Sequence, residues 1–134
     1  MTGLQFTNSR ILIFDPNREA GSDTQHALTS LGVRHVFTTE TMEQALQSID
    51  EVVPDIVLSE LTPDDADSFE LLRMVRDMGG PSCNVPFVIL TREAKKDLVQ
   101  RAIEVGAKGY VLKPCNPLAL KKHCMRILHQ EGVS

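Results

Sequence analysis

Two acids, a hydroxyl and an amine each follow a short aliphatic run in this chain. Asp15 follows Ile11-Leu12-Ile13-Phe14, and Glu60 follows Ile56-Val57-Leu58-Ser59. Thr91 follows Phe87-Val88-Ile89-Leu90, and Lys113 follows Tyr110-Val111-Leu112. Each of these four is a polar side chain that could do chemistry. Near-continuous aliphatic runs of this length read as strands buried on both faces of a parallel sheet. Parallel strands share one C-terminal edge, where open α/β sheets bind ligands. The four side chains are therefore expected to converge on one small pocket.

The elements that must hold them alternate along the chain. After the first strand, residues 17–31 place Ala20, Thr24, Ala27, Leu28 and Leu31 at helical spacing, closed by Gly32. A short strand is expected over Arg34 to Thr38. Thr41 with Gln44 forms a capping-box start for a helix to about Val52, and Pro54-Asp55 opens the third strand. The helix from Asp67 or Ser68 to Met78 presents Leu71, Leu72, Val75 and Met78 on one face and stops at Gly79-Gly80. A fourth helix runs from Lys95 to Val105, stopped by Gly106. Asn116 caps a fifth helix with Pro117 at its first position, ending near Gln130. Five β-α units imply a doubly wound three-layer α/β fold with strand order 2-1-3-4-5.

At 134 residues the chain forms one domain with a single proper core. No apolar stretch approaches the length of a membrane span, and the first ten residues lack a signal-peptide pattern. The expected location is the cytoplasm, with no membrane contact. A net charge of −4 argues against direct nucleic-acid binding. Cys83, Cys115 and Cys124 are odd in number and form no C-x-x-C, which fits inert thiols in a reducing compartment rather than zinc.

From about Arg10 to Gln130 the chain resembles the receiver domain of two-component response regulators. "PDIVLSE" stands where the family carries P-D-x-V-L-x-D, whose last aspartate accepts the phosphoryl group. "DSFELLRMVR", "VILTREAKKD" and "GAKGYVLKP" continue the pattern in order. Aligning Pro63 with the family's loop proline would put Ser59 at the acceptor position. Pro54-Asp55 upstream and Asp67-Ser68-Phe69-Glu70 downstream both put Glu60 there without a gap. The resemblance then implies roles. Asp15 matches the first of two metal-holding acids, Thr91 and Lys113 the groups that bind phosphoryl oxygens, and Tyr110 the switch aromatic of the partner surface. It also implies a cis Lys113-Pro114 bond.

Four positions depart from the family pattern. Pro16 replaces the second acid, which removes a ligand and stiffens the loop. Mg²⁺ asks for near-octahedral oxygen coordination, so Asp15 and Glu60 would hold it weakly at best. Glu60 is one methylene longer than the acceptor aspartate and moves its carboxylate by roughly one C–C bond, about 1.5 Å. A misplacement of about 1 Å can cost on the order of 10²-fold in a positioned reaction. Glu60 is thus either a partial built-in mimic of the phosphorylated state or a plain salt-bridge partner of Lys113. Arg92 stands where many relatives carry a small residue and either caps the pocket or points to solvent. Cys115, where an aromatic is common, packs as a small hydrophobe.

The expected function is a signalling interaction module rather than an enzyme. It would meet a histidine kinase or a downstream effector through its fourth- and fifth-helix face, with weak or no Mg²⁺-dependent phosphorylation and no required cofactor. The alternative is a working phosphoacceptor in a histidine kinase phosphorelay, including as the regulatory part of a larger regulator. Lys121, Lys122 and Arg126 read as a solvated face. "GAKGY" lacks the acid that many transcription-factor receivers place before the aromatic, and Glu131 to Ser134 read as a ragged end. A flavodoxin-like redox role is disfavoured because no phosphate-cradling Ser/Thr/Gly loop follows the first strand.

Overall fold

In a computed structural model the described residues are 6–60, 67–92 and 95–132. Five parallel strands, β1 (Arg10–Phe14), β2 (His35–Thr39), β3 (Ile56–Glu60), β4 (Phe87–Thr91) and β5 (Gly109–Leu112), form one sheet in the order β2-β1-β3-β4-β5. Five helices alternate with them: α1 (Arg18–Ser30), α2 (Met42–Val52), α3 (Asp67–Asp77), α4 (Lys96–Val105) and α5 (Pro117–Gly132). The expected order and alternation are those found. The helix and strand ends fall within one or two residues of the expected ones.

Alternation of side chains along each strand divides the core in two. Leu12, Phe14, Val57, Phe87 and Ile89 pack with α2, α3 and α4, whereas Ile11, Ile13, Ile56, Leu58, Val88, Leu90 and Val111 pack with α1 and α5. The three central strands are buried throughout, apart from Arg10 at the start of β1. β5 departs from the expectation of burial on both faces. It is an edge strand, and only Val111 is buried, while Tyr110 and Leu112 are exposed. An edge strand has a neighbour on one side only, so its sequence can be apolar without being covered.

Local signals set the helix ends. Asn17 caps α1 by accepting the Ala20 N–H at 3.0 Å, and Asn116 Oδ1 accepts from Leu118 N at 2.9 Å at the start of α5. At α2, Thr41 Oγ1 accepts the Gln44 N–H at 3.1 Å. In return Gln44 Oε1 accepts the N–H of Glu40 rather than that of Thr41, so the capping box is displaced by one residue. Gly106 ends α4 at φ 122°, a conformation that an L side chain rarely adopts. One side chain on α3 departs from the expected pattern. Leu71, Leu72 and Val75 are buried, but Met78 lies beyond the helix end and is exposed. The turn through Gly79 and Gly80, both at positive φ, carries the chain away there.

Candidate functional site

Parallel registration brings Asp15, Glu60, Thr91 and Lys113 to one edge of the sheet. Phe14 pairs with Ser59, Glu60 with Leu90, and Thr91 with Leu112, so the residues that follow or end these strands lie side by side. The Lys113 N–H continues the ladder by donating to the Thr91 carbonyl at 2.8 Å, and the Asp15 N–H donates to Thr39 at 3.0 Å. The Lys113–Pro114 peptide is cis.

Lys113 is the hub. Its Nζ donates to Asp15 Oδ2 at 2.7 Å and to Glu60 Oε2 at 2.7 Å. The three side chains are 5%, 2% and 7% exposed for Lys113, Asp15 and Glu60, so water screens these contacts little. Asp15 has a second donor: its Oδ1 accepts the backbone N–H of Asn17 at 2.9 Å. This bond was not expected from the sequence. The Asn17 cap and the Asp-Pro-Asn turn are the signals for it.

Two buried carboxylates share one ammonium, which leaves the trio one negative charge in excess when all are ionised. Burial raises the Glu60 carboxyl above its ordinary 4.5, and the Asp15 charge adds to this, against the opposing pull of Lys113 and Arg92. Burial disfavours the Lys113 ammonium, but its bonds to Asp15 and Glu60 outweigh this and hold its pKa above 10.5. Lys113 is therefore a permanently charged cation at neutral pH.

Adjacent residues on β3 face opposite ways. Glu60 meets Lys113, whereas the fully buried Ser59 hydroxyl finds no hydrogen-bond partner among the described residues. Pro63, the other anchor of that register question, lies outside the described residues. Thr91 is buried at the end of β4. Arg92 is exposed and acts on Glu60 as a nearby charge; no hydrogen bond or ion pair ties its guanidinium to Asp15 or Glu60. It lines a cavity of about 200 Å³ together with Ala20, Asp23, Thr24, Lys113, Pro114 and Cys115. Cys115 is half-buried there, and burial raises its thiol pKa against a hydrogen bond with Thr24. Tyr110 lies outside this cluster, 39% exposed on the edge strand.

The family resemblance implies Mg²⁺, and the donor set does not fit it. Pro16 offers no oxygen on its side chain and is exposed. One oxygen each of Asp15 and Glu60 is taken by the ammonium, and the other Asp15 oxygen is taken by the Asn17 N–H. A divalent ion needs several oxygens at once, and an ammonium already stands between the two carboxylates. Among the described residues no group of three or more His, Cys, Asp or Glu could hold a metal. No helix among them is long and apolar enough to cross a membrane.

Residues 11–125 match the response regulator receiver domain family. The chain is 29% identical to a probable chemotaxis protein CheY of Rhizobium etli, over 78% of this chain and 81% of that one. It is 26% identical to a probable transcriptional regulator, ycf27 of Guillardia theta, over 92% of this chain and 47% of that protein, and so spans about half of the latter. Among solved structures, the Vibrio cholerae chemotaxis protein CheY4 is similar at a TM-score of 0.80 and 27% identity, covering 90% of this chain and 99% of that one. A putative response regulator from Chloroflexus aurantiacus is similar at 0.79 and 26%, covering 90% and 98%.

Proposed function

The chain belongs to the response regulator receiver domain family of two-component signalling, and from that premise we propose that it works as a protein-interaction module with little or no phosphotransfer. The observation that carries this reading is the Lys113 ammonium, held at 2.7 Å from both carboxylates in a nearly dry pocket. A receiver of this design has its cation built in. Glu60 occupies the acceptor's place with a longer arm, and Pro16 withholds the second acid, so nothing draws a metal and a phosphoryl donor together. Lys113 instead ties β1, β3 and β5 through side chains that a phosphorylated receiver would have to rearrange.

In this reading the output lies on the face of α4, β5 and α5, where Tyr110, Leu112, Ile103 and Met125 are exposed beside Lys122 and Arg126. Exposed apolar side chains interleaved with cations suit a protein partner, either a histidine kinase or a downstream effector. In this reading the chain has no catalytic role of its own and requires no cofactor.

Intact mass after incubation with a small phosphodonor and Mg²⁺ tests this reading. The expected result is no stoichiometric gain. A gain of one phosphoryl group that disappears in Glu60→Gln would overturn the reading in favour of a working phosphoacceptor.

A further inference from the structure

Arg76, in the last turn of α3, is used by none of the site chemistry, yet it gathers three backbone carbonyls. Its Nη1 donates to Cys83 O at 3.0 Å and to Val85 O at 2.8 Å, and its Nη2 donates to Gly106 O at 3.2 Å. The guanidinium carbon lies 5.5 Å from the centroid of the Phe87 ring. One side chain thereby joins the end of α3, the segment leading into β4, and the C-terminal cap of α4. The fit is close: a Cβ built on Gly106 would stand 3.2 Å from Arg76 Nε, so glycine serves both the positive φ and the approach of the guanidinium.

The two ends of α4 are held in different ways. At its C-terminal end the Gly106 and Ala107 N–H groups bond back to Ala102 and Ile103, and the Lys108 N–H donates to Phe87 O at 2.8 Å. At its N-terminal end Lys95 provides no side-chain cap, and Asp97 in the first turn offsets the cations of Lys95 and Lys96 at the positive end of the helix dipole. Ala102, the buried residue of this helix, lies in its second half, while Leu98 and Val105 pack half-buried against the same core.

We propose that Arg76 is the positioning residue of the α4–β5–α5 face: it pins the α4–β5 corner to α3 and β4. This rests on the reading that the face is the partner surface. The guanidinium sets where Tyr110, just past the pinned corner, is held for a partner.

The test compares Arg76→Met and Arg76→Lys with the parent chain by amide hydrogen exchange and by fluorescence anisotropy of the tyrosine. Tyr110 is the sole tyrosine and there is no tryptophan, so the signal reports that face alone. Hydrogen bonds from a charged donor are the strong kind, so Arg76→Met should speed exchange at Gly106, Ala107 and Lys108 by roughly tenfold or more. The amides of Ile11 to Ile13 should change less, the Tyr110 anisotropy should fall, and Arg76→Lys should lie between. Should Arg76→Met fail to fold, Arg76→Lys carries the same comparison. An equal rise across β1 and the α4–β5 corner would make Arg76 a general stabiliser and overturn the proposal, as would unchanged exchange at Gly106 to Lys108. Phosphoryl uptake on Glu60 would overturn the proposed function and leave this result standing.

Discussion

Lys113→Met removes the ammonium and leaves Asp15 and Glu60 facing each other in a pocket that water barely reaches. At 2.7 Å and an effective dielectric of about 20, each contact is worth roughly 6 kcal/mol of gross Coulomb attraction. Most of that offsets the cost of taking the charges out of water. Stripping one partner from a buried pair then leaves a net loss of about 3–5 kcal/mol. In a domain of this size that lowers the melting temperature by roughly 10–20 °C. Glu60→Gln should behave in the opposite way. It leaves one carboxylate with one ammonium, removes the excess charge, and keeps an oxygen to accept from Nζ, so its cost at pH 7 stays within about 1 kcal/mol. The pH dependence has a definite sign. Burial raises the folded-state pKa of Glu60 above 4.5, so its contribution to stability is present below 4.5 and is lost as pH rises through the folded value. Glu60→Gln should therefore gain on the parent chain as pH rises from 4.5, read by urea denaturation at a series of pH values. A cost for Glu60→Gln equal to that of Lys113→Met, or a Lys113→Met cost under about 1 kcal/mol, would refute the picture of two buried carboxylates on one cation.

At the alkaline end the raised pKa of Lys113 predicts that stability present below 10.5 is lost as pH passes the folded value, and Lys113→Met should lack this step in the same titration. Restoring both family acids in Pro16→Asp with Glu60→Asp should bring back Mg²⁺-dependent phosphorylation, read by intact mass, with Arg92→Ala added if the guanidinium obstructs. No uptake in either variant would show that the pocket geometry has been misjudged. Burial pushes the Cys124 thiol up to about 12, so alkylation at pH 8 should label Cys83 and Cys115 well before Cys124, with the order read by peptide mass; early labelling of Cys124 would contradict its burial. Val53, a β-branched residue at φ 53°, caps α2 in the left-handed region, so Val53→Gly should raise thermal stability by about 1 kcal/mol.

Much of the architecture was legible in the chain because it depends on local rules. Apolar runs three or four residues long, punctuated by Gly106, Asn116 and the Thr41–Gln44 pair, specify alternating strands and helices, and alternation of that kind admits few topologies. The same runs put Asp15, Glu60, Thr91 and Lys113 at strand ends, and parallel order puts strand ends together. What periodicity cannot carry is which strand has a neighbour on each side. Tyr110-Val111-Leu112 reads like the central runs, yet its place at the sheet edge leaves two of the three exposed. Nor does it carry which donors meet across long separations in sequence. Only the folded chain decided that Lys113 bridges both acids while Arg92 stays exposed, that the Ser59 hydroxyl goes without a partner among the described residues, and that Arg76 reaches Gly106, 30 residues away. Each of those outcomes depends on distances of a few tenths of an ångström between side chains on different elements, and packing sets those distances.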